Sequence, residues 1–267
     1  MEELKISIVT PSFNQGNYIE DAIQSVLKQN YKNFEHIIID NLSTDNTMEI
    51  VKKYKHLKWI SEKDEGQSDA INKGFKISSG DIMAWLNADD HYIEGTFDIV
   101  NSKLLNPSLD AIYGNFMFVN KKNEVTKKMT VQKPSKIMSK FICFIPSTTF
   151  FFKRKVVDRN IIIDKNFHLT MDKEFYANLL YKNYKIEKID KFLAKFRWHE
   201  TNKSNISKAK KIRYKEGLII YNRYSKIKLP NNILGITFYI IMLQLNLIYR
   251  FLCRKTSFDI FSKKKYI

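Results

Sequence analysis

Residues 82–86, Ile-Met-Ala-Trp-Leu, form an almost continuous apolar run that stops abruptly at Asn87-Ala-Asp-Asp-His91. A strand without polar alternation must be covered on both faces, so the chain is restricted to layered folds with helices above and below a sheet. Ser78-Ser79-Gly80 marks where the run begins. Polar groups just past the carboxyl end of a buried strand lie where open α/β sheets collect their ligands. Asn87, Asp89 and Asp90 supply hard oxygen donors that suit a divalent cation holding a diphosphate. The same residue types also build ordinary polar turns.

The preceding residues repeat the same unit. Lys5 to Thr10 reads as a strand, Pro11 to Gly16 as the loop leaving it, and Ile19, Ala22, Ile23, Val26 and Leu27 recur at helical spacing. Phe34 to Asp40 restores a strand, and such a β-α-β order implies a right-handed crossover and a parallel sheet. Asp40 is therefore expected on the same edge as Thr10. Asn41 to Thr47 is rich in capping residues and precedes a second helix, Leu57 to Ser61 is a third strand, and Gln67 to Ile77 a third helix. Four strands alternating with helices by about residue 90 describe a doubly wound, nucleotide-binding half over 1–95.

Beyond Tyr92 the pattern becomes α+β over 96–200. A helix is expected near Thr96 to Leu105, a strand at Ala111 to Gly114, and a hairpin of Phe116 to Val119 with Val125 to Thr130. Ser147 to Phe152 is β-rich, Asp172 to Lys182 helical, and Tyr184 to Ile189 and Leu193 to Trp198 read as two further strands.

The net charge of +17 directs the protein to polyanions: nucleic acid, anionic lipid or phosphorylated substrates. Much of the excess follows His199, from Lys203 to Lys228, and borders Ile233 to Tyr249, an uncharged apolar stretch closed by Arg250, Arg254 and Lys255. That stretch is slightly short of the about 20 residues a spanning helix needs. Gln244 and Asn246 suit a helix lying in a membrane interface, with a core helix as the other reading. Residues 201–267 are thus expected to be a basic, apolar helical appendage that attaches the protein to the cytoplasmic face of a membrane. The basic residues concentrate around an apolar segment rather than interleaving with aromatics along a folded face, no named nucleic-acid motif is present, and no nucleic-acid partner is expected. Cys143 and Cys253 stand far apart without CxxC spacing, so neither a disulfide framework nor a zinc site is indicated. The acidic Met1-Glu-Glu-Leu-Lys5, with too short an apolar run, is not expected to begin a signal peptide. A nucleotidyltransferase would carry a glycine-rich loop after its first strand, where this chain has Pro11-Ser-Phe-Asn14.

Five segments in order, Thr10-Pro-Ser-Phe-Asn14, Ile39-Asp-Asn-Leu-Ser-Thr-Asp45, Gly66-Gln-Ser-Asp-Ala-Ile-Asn-Lys-Gly74, Gly80-Asp81 and Trp85-Leu-Asn-Ala-Asp-Asp90, carry a resemblance. Together they resemble family-2 inverting glycosyltransferases of the GT-A fold, most of all bacterial members that build O-antigen and capsular polysaccharides. The resemblance implies an α/β fold of GT-A type, the nucleotide-binding half fused to an α+β acceptor half, with residues 201–267 appended. It implies a nucleotide-sugar donor, a UDP-sugar by preference, a lipid-linked or polysaccharide acceptor, and Mn²⁺ or Mg²⁺ as cofactor.

By the same resemblance Thr10, Pro11 and Asn14 would line the nucleotide pocket and Asp40 would accept from the base. Asp69, Asn72 and Lys73, on one helix face, would meet the sugar diphosphate. Asn87-Ala-Asp89 occupies the family's DxD position, Asp89 binding metal and Asn87, in place of the first acid, hydrogen-bonding a hydroxyl. Asp90 reads as structural. Asp172 would be the general base, with Met171 where the family has a Glu and Glu174 a candidate to compensate. Arg197-Trp-His199 with Ser204 matches the family's Arg-x-His segment, bringing His199 to the metal or pyrophosphate. The substitutions at Asn87 and Met171 also fit an inactive relative.

Overall fold

The computed structural model describes residues 3–200, 202–203 and 209–256, the side chains of the last helix as far as 248. Ser204, Lys208 and Lys263 to Lys265 lie outside the described residues, as do the side chains of Arg250, Cys253, Arg254 and Lys255. Strands β1 (Ile6–Ser12), β2 (Phe34–Asp40), β3 (Leu57–Ser61) and β4 (Ile82–Trp85) are parallel in the order β3-β2-β1-β4. Helices α1 (Ile19–Leu27), α2 (Thr47–Val51) and α3 (Gln67–Ile77) make the crossovers.

The two-residue period of a strand sorts the core onto two faces. Val9, Ile37, Ile39, Met83 and Trp85 pack on Ala70, Ile71 and Phe75 of α3, while Ile6, Ile8, Ile82 and Ala84 pack on Ala22 and Val26 of α1. Each Val, Ile, Met or Phe among them, fully buried, contributes about 1.5–3 kcal/mol. Because all four strands run the same way, Ser12, Asp40 and Ser61 align along one carboxyl edge, with Asn87 just beyond β4.

β1 is two residues longer than its sequence suggests: Pro11 pairs with Ile39 and Ser12 with Asp40. Val9 accepts from Leu86 N–H and so presents its backbone toward β4; Pro11, two residues on, faces the same way after β4 has ended. Its missing N–H therefore costs the sheet nothing.

The second half comprises β5 (His91–Tyr92), α4 (Thr96–Leu104), β6 (Ala111–Val119), β7 (Val125–Met129), α5 (Lys136–Ser139), a 3₁₀ turn (Ser147–Thr149), β8 (Phe151–Lys153), α6 (Lys155–Asp158), α7 (Met171–Tyr181) and β9 (Ile186–Arg197). Its strands extend the first sheet in the order β4-β8-β6-β9-β5, with β7 hairpinned onto β6. The two expected halves thus share one nine-stranded sheet. Two pairs of expected strands are single strands. Ala111–Gly114 and Phe116–Val119 form β6, and most of Tyr184–Ile189 and Leu193–Trp198 forms β9, with the register shifting around Asn115. Gly114 reads as a break in the sequence. Here it admits a close approach, since a Cβ there would fall 2.7 Å from the Lys191 carbonyl oxygen.

Helices α8 (Ala209–Tyr224) and α9 (Ile233–Thr256) complete the described chain. The appendage does not stand off from the rest. Leu218 and Tyr221 of α8 and Tyr239 of α9 cluster with Phe141 of the body, while Phe238, Ile241, Leu245 and Ile248 of α9 stay exposed. Among the described residues no helix is long and apolar enough to cross a membrane.

Candidate active site

A cleft of about 460 Å³ opens at the carboxyl edge of β1 to β4. One wall is made by Pro11, Ser12, Gln15, Asn41 and Asp64, the floor by Gln67, Asn87 and Asp89, and the facing wall by Ser147, Asp172, Phe196 and His199. Parallel strands deliver the first set and α7 and β9 the second, so residues far apart in sequence share one space.

Asp89 Oδ2 lies 3.0 Å from His199 Nε2 and accepts from Asn202 Nδ2 at 3.1 Å. Asn202 Oδ1 in turn accepts from the His199 N–H, fixing that turn. The His199 ring stacks on Tyr18 with centroids 4.6 Å apart. Beneath it, the buried Arg197 guanidinium donates to the carbonyls of Asp89 and Lys121 and pairs with Asp21. Asp90 is buried and accepts from Arg197 N–H and Asn87 Nδ2, splicing the end of β4 to β9. Burial, with the neighbouring Asp89 charge, pushes its carboxyl well above the ordinary range, in keeping with a structural part. Asn87 Oδ1 accepts from Gln67 Nε2 at 2.8 Å.

Among the described residues no group of three or more His, Cys, Asp and Glu side chains could hold a metal. Asp89 and His199 form a two-residue set of one oxygen and one nitrogen donor. Such a set fits a cation that arrives with a diphosphate, because phosphate oxygens complete the shell.

Asp172 sits in the first turn of α7, half-buried, with Oδ1 accepting from Lys173 N–H at 2.7 Å and Oδ2 in contact with the Cys143 thiol at 3.4 Å. Burial raises its pKa, which suits a group that must take up a proton. Glu174 does not join it. Its carboxylate is buried on the far side of α7, accepting from Arg223 and Tyr224, both at 2.6 Å. It ties α7 to α8 and is not among the residues lining the cleft. Met171 itself lines the cleft.

The other sequence-derived residues divide. Pro11 lines the cleft. Thr10 is fully buried and bonds His36 Nε2 at 2.8 Å, and Asp40, also fully buried, accepts from Ser43 N–H, Ser43 Oγ and Ser61 Oγ. Asn14, at φ 51°, accepts from Thr44 N–H and holds the 41–47 loop. Asp69, Asn72 and Lys73 do share a face of α3, but that face meets protein. Asn72 exchanges two hydrogen bonds with the Ile163 backbone, Asp69 pairs with Lys165, and Lys73 reaches Glu62 and the Lys63 carbonyl.

Residues not singled out in the sequence take their place. Ser12 Oγ and Gln15 Oε1 are buried, have no hydrogen-bond partner among the described residues and line the cleft. Asp64, its pKa raised by burial, lies beside Asn41, which accepts from its N–H, and Lys203 brings a cation to the rim. Glu216 of α8 accepts from the N–H groups of His168, Leu169 and Thr170 and from the Thr170 hydroxyl, fixing the turn into α7. Periodicity cannot announce such residues, since each acts through a contact made only in the folded chain.

The model of glycosyl transferase family 2 matches residues 7–180. The chain is 33% identical over 136 residues to the Escherichia coli UDP-Glc:alpha-D-GlcNAc-diphosphoundecaprenol beta-1,3-glucosyltransferase WfgD, covering 50% of this chain and 54% of the relative. It is also 33% identical over 185 residues to the Staphylococcus aureus poly(ribitol-phosphate) beta-N-acetylglucosaminyltransferase TarP, covering 65% of this chain and 56% of that protein. The chain thus spans about half the length of these curated relatives. Among solved structures, S. aureus TarS 1-349 in complex with UDP-GlcNAc superposes with a TM-score of 0.66 at 17% identity, over 84% of this chain and 68% of that one. The mannosyltransferase PcManGT from Pyrobaculum calidifontis, in complex with GDP-Man and Mn²⁺, does so at 0.65 and 15% identity, over 92% and 71%. At these identities the likeness shows a shared fold, of GT-A type, as expected.

Proposed function

The chain belongs to glycosyl transferase family 2, and from that premise we propose that it moves a hexosyl or N-acetylhexosaminyl unit, with inversion, from a UDP-sugar to a hydroxyl of a lipid-linked or polysaccharide acceptor. Its place is in bacterial surface-glycan synthesis of the O-antigen or capsule kind. The observation that carries this reading is one cleft lined by the Asp172 carboxylate and by the Asp89–His199 donor pair. Relatives named for UDP-Glc and for diphosphoundecaprenol and poly(ribitol-phosphate) acceptors support donor and acceptor class.

Pro11, Ser12, Gln15, Asn41 and Asp64 bind the nucleoside, Asp64 accepting from the imide N–H of uracil. Asn87 holds a donor hydroxyl. Asp89 and His199 would hold Mn²⁺ or Mg²⁺ arriving with the diphosphate, and the cation would supply charge neutralisation to the leaving group. Lys203 adds a cation at the rim. Asp172 takes the proton of the acceptor hydroxyl as its oxygen bonds to the anomeric carbon and the carbon–oxygen bond to the diphosphate breaks on the opposite face. Attack opposite the leaving group inverts the centre. The apolar outer face of α9 lies on the cytoplasmic side of the membrane, where soluble donor and lipid-linked acceptor meet.

A panel of UDP-glucose, UDP-N-acetylglucosamine, UDP-galactose and GDP-mannose, assayed for sugar release with Mn²⁺, Mg²⁺ or EDTA, tests the reading. Cation-dependent release from a UDP-sugar is the expected result. No turnover and no binding of any of the four counts against it.

A further inference from the structure

One buried hydroxyl ties the C-terminal helix to both flanks of the candidate base. Tyr239 of α9 is 2% exposed. Its hydroxyl donates to the Phe141 carbonyl at 3.1 Å and accepts from Lys173 Nζ at 2.9 Å. Lys173 follows Asp172 in α7, and its N–H donates to that carboxylate. The thiol of Cys143, two residues after Phe141, contacts it as well. Lys173 and the Phe141–Cys143 segment are therefore joined through a single oxygen. Gly217 of α8 makes room for it: a Cβ there would fall 2.4 Å from the Tyr239 oxygen. The Tyr239 ring stacks on Phe141 at 6.1 Å, so the ring is held independently of its hydroxyl.

We propose that Tyr239 is a positioning residue for sugar transfer, acting on Asp172 through Lys173 and the Phe141–Cys143 segment. The proposal rests on Asp172 being the base. A buried ammonium must be hydrogen-bonded, and the Tyr239 oxygen is the acceptor that keeps Lys173 charged beside Asp172. Burial already draws the Lys173 pKa down to about 8, so little further loss is needed to discharge it. The other titratable groups facing this pair are Cys143, Tyr176 and Lys203 around Asp172 and Glu216 near Lys173. Without the phenolic oxygen Lys173 gives up its proton or swings away. In either case Asp172 loses a neighbouring positive charge, its carboxylate is less favoured, and it demands higher pH to act as a base.

Tyr239→Phe keeps the ring and removes only the hydroxyl. Turnover is read as sugar release to water from UDP-glucose or UDP-N-acetylglucosamine, whichever the wild type hydrolyses faster, and site-resolved alkylation of Cys143 by iodoacetamide is read by mass spectrometry. The variant should lose about 10-fold in kcat with UDP affinity unchanged, its acid limb should move to higher pH, and Cys143 should label more slowly, because the lost Lys173 charge disfavours its thiolate. Lys173→Met should move the limb in the same direction, and the double variant should be no worse than the poorer single one. A lower melting temperature with wild-type limb and labelling would mean a structural role only and overturn the proposal. Asp172→Asn is run alongside. Wild-type turnover there refutes the base assignment and this proposal with it, whereas an inactive Asp172→Asn beside a Tyr239→Phe of wild-type kcat, limb and labelling overturns the Tyr239 role alone.

Discussion

His199 Nε2 lies 3.0 Å from Asp89 Oδ2 although 110 residues separate them. The pairing follows from the strand that succeeds β4: β5 pairs antiparallel with β9, His91 opposite Lys195, and the buried Asp90 just before it accepts from Arg197 N–H and fixes the approach. His199, two residues after Arg197, then faces the same cleft.

Asp89→Ala should remove the cation dependence of UDP binding and lower turnover by about 10² or more, with the melting temperature nearly unchanged. Calorimetric titration of UDP with and without Mn²⁺ measures the first effect. Near-normal sugar release in EDTA would sink the role given to Asp89 and His199.

The run 82–86 declares a strand buried on both faces because burial leaves no polar alternation. The edge where Asn87 and Asp89 emerge follows from the parallel β-α-β order alone. Fine assignments on α3 do not follow in this way. Spacing places Asp69, Asn72 and Lys73 together on a helix face but cannot say what covers it, and here the backbone at Ile163 and the side chains of Lys165 and Glu62 do. The role of Glu216 is hidden for a related reason. Its partners are backbone N–H groups at His168, Leu169 and Thr170, and no side-chain pattern records them.

Asp172→Asn is nearly isosteric and cannot take the proton, so kcat should fall by about 10² or more with donor affinity preserved. The pH profile carries a sign. A base works deprotonated, and burial raises this carboxyl, so wild-type kcat should decline as pH falls through a limb lying above the ordinary carboxylate range. A pH–rate profile with no acid limb above that range would move the base elsewhere.

Asp40 and Asp64 should separate stability from binding. Asp40 is fully buried and accepts from Ser43 and Ser61, so Asp40→Ala strands those donors and should cost about 1–3 kcal/mol in urea unfolding. Asp64 lines the cleft, half-buried with its pKa raised, so Asp64→Ala should weaken UDP binding with little loss of stability. Wild-type UDP binding should also weaken as pH falls through that raised pKa, because a protonated carboxyl no longer accepts from the imide at that oxygen. Unchanged UDP affinity in Asp64→Ala rejects its base-reading role.

The last helix serves two surfaces. Ile236, Tyr239 and Leu243 pack inward on the cluster of Phe141, Leu218 and Tyr221, while Phe238, Ile241, Leu245 and Ile248, at spacings of three, four and three, stay exposed. An apolar stripe of this kind, with Lys226 and Lys228 in the segment that precedes α9, suits the boundary of an anionic bilayer, where each nearby basic residue adds about 1 kcal/mol. The full chain should therefore sediment with vesicles containing anionic lipid and be only partly released by salt, and Phe238→Glu with Ile241→Glu should abolish sedimentation while UDP binding persists. Truncation after Pro230 makes a sharper demand. It deletes the stripe and Tyr239 together, so the shortened protein should leave the vesicles, still bind UDP through the cleft walls, and yet turn over more slowly than the double glutamate variant, because only the truncation strips Lys173 of its acceptor. A full chain that stays in the supernatant with such vesicles ends the membrane reading, and a truncated protein with full turnover ends the link from α9 to the base.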